Sequence, residues 1–229
     1  MDEGATSMER MVESMIRIGS QFLGEGKALL VEEFGKDYGG YFTVLSSIAS
    51  GRTRRTEIEQ LLGGSAGGYI TKLEDDYALI TKRQPIFEKS GNKNCVYAIN
   101  DNFLRFWFRF LWRYAYLLEL RYYEEPRGIV VRDYKAFSGH SLEGYFRAKF
   151  VDEHAYTRIG AWWDRRGENE IDLVCENEFS RKLDFYEVKR ELSRFDPSHL
   201  RRKAEAFLAK NPTLRSMEIS YGGLSLSDM

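Results

Sequence analysis

Cysteine is nearly missing from this chain. Cys95 and Cys175 are its only two in 229 residues, too few and too isolated for a disulfide framework or a zinc knuckle. Histidine is equally scarce, and His140, His154 and His199 do not fall at metal-ligand spacing. There is no excess of one charge: 34 Lys and Arg face 35 Asp and Glu, for a net charge of −1 and a pI near 6.4. No global attraction to nucleic acid follows, so any such binding must rest on local patches. Long apolar runs are missing as well. The acidic start at Asp2 and Glu3 lacks the apolar core of a signal peptide, and the aromatic run 103–118 is broken by Arg105, Arg109 and Arg113. A cytoplasmic protein with no membrane span is expected. What is present is core material: 43% hydrophobic and 14% aromatic residues, enough for one large or two modest domains.

The first half reads as helices followed by a ribbon. Tyr41, Val44, Leu45 and Ile48 recur at helical spacing and stop at Ser50-Gly51. Thr56 to Leu62 makes a short helix with Thr56 as its cap, and Gly63-Gly64-Ser65 turns the chain into a third helix over 69–74. Leu79 to Lys82 and Cys95 to Ile99 take strand character around a lysine-bearing loop, Pro85 to Asn94. Three helices and a two-stranded ribbon describe a winged helix-turn-helix. On a duplex, 66–74 would be the recognition helix, with Arg52, Arg54, Arg55, Lys72, Lys82 and Arg83 at phosphates and Lys89 and Lys93 on the wing. Glu74, Asp75 and Asp76 oppose this, and a wing used for protein contact or spacing stays open. Residues 100–114 follow as an aromatic helix, capped by Asp101 and apolar nearly all round, which reads as a joint between packed units. The charged, turn-forming stretch 124–128 marks the boundary.

The second half carries the chemistry. Asp172 and Glu187 stand fifteen residues apart, room for one strand, a turn through Asn177 to Ser180, and a second strand. Strand side chains alternate, so Glu187 and Lys189 share a face and Val188 takes the other. Upstream, Leu142, Tyr145, Phe146 and Phe150 mark a helix with Glu143 at the edge of its apolar stripe. Residues 155–163 read as a strand that turns at 164–167. Asp196-Pro197 starts a helix with Leu200, Ala204, Phe207 and Leu208 inward, and 217–221 closes with a strand. Magnesium prefers hard oxygen ligands and is held by one or two carboxylates plus substrate phosphate. Asp172 and Glu187 suit that role, with Glu143 completing the shell. Lys189 suits the charge of a phosphorane or the orienting of water. Glu170 is a weaker neighbour on the same face as Asp172.

Asp172, Glu187-Val188-Lys189 and Glu143 together resemble the signature of the PD-(D/E)XK nucleases, with Ile171 in place of its proline. The order of parts also resembles the C-terminal half of the archaeal-type AAA+ ATPases, on Ile48-Ala-Ser-Gly51, Thr56-Glu-Ile58, Ile70 to Glu74, Tyr97 to Asp101, Phe103 to Phe108, Trp162-Trp163, Glu170-Ile-Asp172 and Glu187-Val-Lys189. The resemblance covers about 29–210. It implies an α/β (α+β overall) chain: a helical lead at 1–36, a winged helix with its aromatic helix at 37–125, and a restriction-endonuclease-like three-layer domain at 126–229. It implies Mg²⁺ (or Mn²⁺) and a DNA, possibly RNA, partner. The family's ATPase is not expected here: around Gly26-Lys27, Gln21 and Ala28 replace the glycine and hydroxyl residue that a P-loop requires. An ATPase on another polypeptide, or self-association through Met11, Met15, Ile16, Ile18, Phe22, Leu23, Leu29 and Leu30, is the expected partnership. The other function to weigh is a silent DNA- or protein-binding regulatory module.

Overall fold

In a computed structural model, residues 7–89, 91 and 93–229 are described. Asp2 and Glu3 lie outside these residues, as do Ser90 and Asn92 of the lysine-bearing loop. The chain is mixed α+β, as expected. It divides into two compact units, one of residues 1–83 with 96–134 and the other of 84–95 with 135–229.

The first unit opens with α1 (Ser7–Met15) and α2 (Gln21–Phe34). Val12, Ile16, Leu30 and Phe34 are buried, whereas Met11, Ile18 and Phe22 stay exposed. Helix α3 (Tyr38–Ala49) buries Tyr41, Phe42, Val44, Leu45 and Ile48, the stripe seen in the sequence. α4 (Arg55–Leu62) begins one residue before Thr56, with Arg54 as its cap residue and the Arg54 N–H donating to Glu57 Oε2 at 2.9 Å. Thr56 is therefore not the cap: the carboxylate three residues on satisfies the helix entrance instead. Gly63 ends the helix in the left-handed region, at φ +71°. α5 (Gly67–Thr71) continues into a wider turn, Lys72–Asp76, and lies so close to α3 that a β-carbon on Gly40 would fall 2.3 Å from the Tyr69 ring. The ribbon is β1 (Ile80–Arg83) antiparallel to β2 (Val96–Ile99), with Ile80 opposite Ile99.

Asp101 caps α6 (Asn102–Phe106), accepting from Leu104 N–H at 2.7 Å. The aromatic run then passes through a wide turn, Trp107–Leu111, and a tight one, Trp112–Tyr114, into α7 (Ala115–Glu119). It lies within the core of the first unit. Phe106, Trp107, Phe108, Phe110 and Leu111 are buried, and Phe42 meets Trp107, Phe108 and Trp112 edge to face. A helix apolar on nearly every side has to be surrounded, and here α3 helps to surround it. The stretch 124–128 is no turn but the start of α8 (Glu124–Asp152). Pro126 is tolerated there because first-turn N–H groups have no acceptor within the helix. Residues of α8 up to Tyr134 belong to the first unit, and those from Lys135 to the second.

The second unit is built on β3 (Arg158–Trp163), β4 (Glu170–Asn177), β5 (Lys182–Val188), α9 (Pro197–Lys210) and β6 (Glu218–Leu224). The sheet order is β3-β4-β5-β6: two antiparallel pairings, then a parallel one reached through α9. One face packs α9, with Trp162, Ile171, Val174, Leu183 and Phe185 against Leu200, Ala204, Phe207 and Leu208. The other packs α8, with Leu173, Cys175 and Val188 against Leu142 and Phe146. Three layers result. The loop after β1 also belongs to this unit: Ile86 enters its core, and the Ile86 N–H donates to Ala161 O at 2.8 Å. The units are thus discontinuous in sequence, unlike the consecutive segments 1–36, 37–125 and 126–229. The cause is the apolar pair Ile86-Phe87 inside a loop that reads as basic.

Asp196 caps α9 as expected, accepting from Ser198 N–H at 2.9 Å and His199 N–H at 3.3 Å, with Pro197 in the first turn. Asp196→Ala is expected to cost about 1 kcal/mol in urea denaturation. An unchanged midpoint would show that the cap contributes nothing.

Candidate active site

The register between β3 and β4 slips beside Asp172. Gly160 lies opposite Val174 and Trp162 opposite Ile171, so β4 uses three steps where β3 uses two. The extra residue is a bulge, and it explains why Ile171 faces α9 while Leu173, two residues on, faces α8. Asp172 lies within it. Its Oδ2 accepts the backbone N–H of Val188 at 2.7 Å, which ties the start of β4 to the end of β5. Lys189 is placed by β6: its N–H donates to Leu224 O at 2.8 Å, continuing the parallel ladder one residue beyond Val188.

Side chains from both helices meet this end of the sheet. Lys189 Nζ lies 2.8 Å from Glu187 Oε1, and Lys203 Nζ from α9 lies 3.4 Å from the same oxygen. The Glu187 side chain is only 8% exposed and that of Lys203 13%. From α8 comes Glu143, 3.4 Å from His140 Nδ1 and partly exposed. Burial, then the charge of Glu143, pushes the Asp172 carboxyl up to about 7, with Glu170 adding to the rise and the Val188 hydrogen bond and Lys189 opposing it. Glu170 moves up for the same two leading reasons. Glu187 behaves oppositely. Burial works against its charge, but the Lys189 hydrogen bond and the Lys203 charge outweigh this and hold the carboxyl below its ordinary range. Burial likewise disfavours the Lys189 ammonium, and Glu187, Asp172 and Glu143 more than offset it, so its pKa is raised.

The structure therefore brings Asp172, Glu187, Lys189 and Glu143 into one electrostatic cluster and adds Glu170, Lys203 and His140. Among the described residues, no three His, Cys, Asp or Glu side chains converge closely enough to enclose a metal ion. The donor set nevertheless fits Mg²⁺, which needs only one or two protein carboxylates and keeps its waters. Burial and the neighbouring Glu143 charge, only partly offset by Lys189, make Asp172 a carboxyl whose charge a divalent cation would relieve. One buried donor, the Trp163 indole N–H, has no hydrogen-bond partner among the described residues, and Trp163 pairs in register with Glu170. Lys203 escapes sequence reading because it stands beside the apolar positions Leu200 and Ala204, where a lysine reads as rim. Its spacing of one turn before Phe207 was the available signal.

The basic candidates of the first unit do not form one cluster with a single role. Arg55 is paired with Glu59 at 2.8 Å, Arg54 occupies the α4 cap position, and Arg52 shares a polar cleft of about 480 Å³ with Ser46, Ser50 and Arg113. Lys72 is exposed in the turn after α5, and Lys82 and Arg83 are exposed on β1. The Lys82 N–H donates to Glu74 Oε1 at 3.1 Å, which places one of the opposing acids against the ribbon.

A family described as archaeal and bacterial proteins of unknown function, DUF234, matches residues 107–199, from the aromatic run through the start of α9. An uncharacterized protein of Methanocaldococcus jannaschii, MJECL04, is 28% identical over 158 residues, covering 65% of this chain. The match takes in 35% of that protein, so this chain spans about a third of its length. No solved structure matches. Among the described residues, no helix is long and apolar enough to cross a membrane.

Proposed function

We propose that this chain is a cytoplasmic, Mg²⁺-dependent (or Mn²⁺-dependent) nuclease of the PD-(D/E)XK type. Its second unit hydrolyses nucleic-acid phosphodiesters, and its first is a winged helix that contacts DNA or, in place of it, RNA. The observation that carries the reading is the opposed pair of environments at one sheet end. Asp172 is buried beside Glu143 and Glu170, a setting that favours a bound cation, while Glu187 holds the Lys189 ammonium in place. Asp172 and Glu187 would hold the ion, with Glu143 reaching it through water, and the ion would supply positive charge against the phosphate oxygens. Lys189 donates to the negative charge developing on phosphorus or orients the attacking water. Mutual repulsion couples the protonation of the acids.

The test is cleavage of single- and double-stranded DNA and RNA with Mg²⁺ by wild type, Asp172→Ala and Lys189→Ala. Lys189→Ala should lower kcat about 10²-fold or more, the range for removing one preorganised donor. Equal activity in all three proteins would reject the assigned site. A second reading, a silent binding module, is favoured by the way two lysines already satisfy Glu187 Oε1. It predicts no divalent-ion binding at millimolar concentration. The exposed Met11 of α1, Ile18 between the helices and Phe22 of α2 support a further partner, an ATPase on another polypeptide or a second copy of the chain.

A further inference from the structure

We infer that the cleft at the end of α3 binds a small phosphorylated sugar, with Arg52 and Arg113 on its phosphate and the hydroxyls of α3 on its sugar. The inference concerns the first unit alone and does not depend on the nuclease reading. The cleft has a volume of about 480 Å³. That lies within the roughly 300–1,000 Å³ of small-molecule sites, and it is more than a lone phosphate ion fills. Helix α3 presents Thr43, Ser47 and Ser50 to it, at the spacing of four and three that puts residues on one helix face. Gly51, at φ +91°, turns the chain at the helix end and returns Arg52 to the same cleft, the Arg52 N–H donating to Ser47 O at 3.0 Å. Arg113 enters from the tight turn that follows the aromatic run.

The fold gives these two guanidinium groups no ion pair. Arg113 reaches the Ser50 hydroxyl at 3.5 Å and the ring of Tyr114, and among the described residues neither Arg113 nor Arg52 pairs with a carboxylate. Asp133 senses the charges of Arg109 and Arg113, but Arg132 holds it in a fork at 2.6 and 2.9 Å. Nor are Arg52 and Arg113 needed at the carbonyl end of α3. The Ser46, Ser47 and Ile48 carbonyls accept the N–H groups of Ser50, Arg52 and Gly51, and Arg109 donates to Ser50 O at 3.4 Å. Guanidinium forks without a carboxylate suit a phosphate, which accepts two parallel hydrogen bonds from each. The hydroxyls call for more than an anion. Thr43 and Ser47 donate to the Gly39 and Thr43 carbonyls at 2.9 and 2.6 Å, so their oxygens are left to accept. A phosphate has no proton for them, whereas a sugar hydroxyl does. Trp112, the ring that lines the cleft, is already stacked by Trp107 and met edge-on by Phe42, which favours a sugar over a nucleobase. No lining residue comes from α5 or the ribbon, the elements that would meet a duplex.

The experiment is equilibrium dialysis of the full chain in chelator, so that no metal takes part, against ribose 5-phosphate, ribose, inorganic phosphate, AMP and a short DNA duplex. Ribose 5-phosphate should bind more tightly than inorganic phosphate or AMP, and ribose should not bind. Arg52→Gln and Arg113→Gln should each weaken ribose 5-phosphate by about 10-fold or more, the range for one hydrogen bond to a charged group. Both arginines are exposed, so the variants should fold. Thr43→Val keeps the shape and removes the acceptor. It should weaken ribose 5-phosphate about 2–10-fold and leave inorganic phosphate unchanged, a split that a folding defect would not produce. No saturable binding of ribose 5-phosphate at millimolar concentration, binding that both arginine variants leave unchanged, or equal binding of ribose would overturn the assignment. Tighter binding of AMP would overturn the choice of sugar, and arginine-dependent binding of the duplex alone would make the cleft part of a nucleic-acid surface instead. Cleavage enters no arm, so the nuclease reading stands or fails separately.

Discussion

Asp172→Asn is expected to abolish divalent-dependent cleavage, a loss of at least about 10³-fold if the ion no longer settles, and at the same time to make the folded chain more stable at pH 8. The second effect follows from linkage. The Asp172 pKa is raised from 3.8 to about 7 on folding, so the native state binds this proton more tightly than the unfolded one. Below about 3.8 both states are protonated and the group contributes nothing. Between about 3.8 and about 7 the unfolded carboxyl ionises while the native one keeps its proton, so the penalty grows with pH, and above about 7 all of it, roughly 2–4 kcal/mol, is present. Asparagine is neutral throughout and keeps an oxygen for the Val188 N–H. The variant's melting temperature should therefore exceed that of wild type by about 5–10 °C at pH 8 in chelator. The gap should close toward pH 4. Added Mg²⁺ should raise the wild type and leave the variant unmoved. An Asn variant that melts below wild type at pH 8 would show that Asp172 serves the fold and not a cation.

That outcome would mark Asp172 as a residue kept at a cost in stability. The opposition is invisible in the sequence, because it depends on how far the β4 bulge buries the carboxylate and on which acids face it. Alternation alone assigns Asp172 and Leu173 to opposite faces. It says nothing of the extra residue that puts Ile171 on the α9 side. What was legible is local: the α9 cap at Asp196, the aromatic helix cap at Asp101, Glu187 and Lys189 on one face, and the order of helices, ribbon, hairpin and crossover. Each depends on neighbours within a few positions. What was not legible is long-range. Ile86 gives no periodic signal, yet it joins the second unit's core across a separation of seventy-five residues from Ala161. Lys203 reads as a solvated rim residue until α9 is laid across β5. The stretch 124–128 carries turn chemistry in composition, and only the packing of α8 makes it a helix start.

The largest expected loss of stability is at Phe207. Its side chain is fully buried, and its ring lies 5.7 Å from Phe87, 5.6 Å from Trp162 and 5.4 Å from Phe185, at interplanar angles of 63–83°. One ring thus joins the loop after β1, β3, β5 and α9, segments far apart in sequence. Phe207→Ala should cost about 3–5 kcal/mol, the transfer term plus a cavity that three rings cannot readily close. That is a large share of the roughly 5–15 kcal/mol by which domains are stable. With a slope of about 2 kcal/mol per molar, the urea midpoint should fall by ~2 M. Phe179 at the β4–β5 turn is the control. It is 90% exposed, and Phe179→Ala should stay within about 0.5 kcal/mol of wild type. Because Lys203 sits one turn before Phe207, the cavity should also loosen the hold on Glu187. Amide exchange at Leu200 and Ala204 should then accelerate in native buffer, before global unfolding contributes. Equal urea midpoints for Phe207→Ala and Phe179→Ala would mean that the stability of the second unit resides elsewhere, and that α9 is not what fixes the lysine over the sheet end.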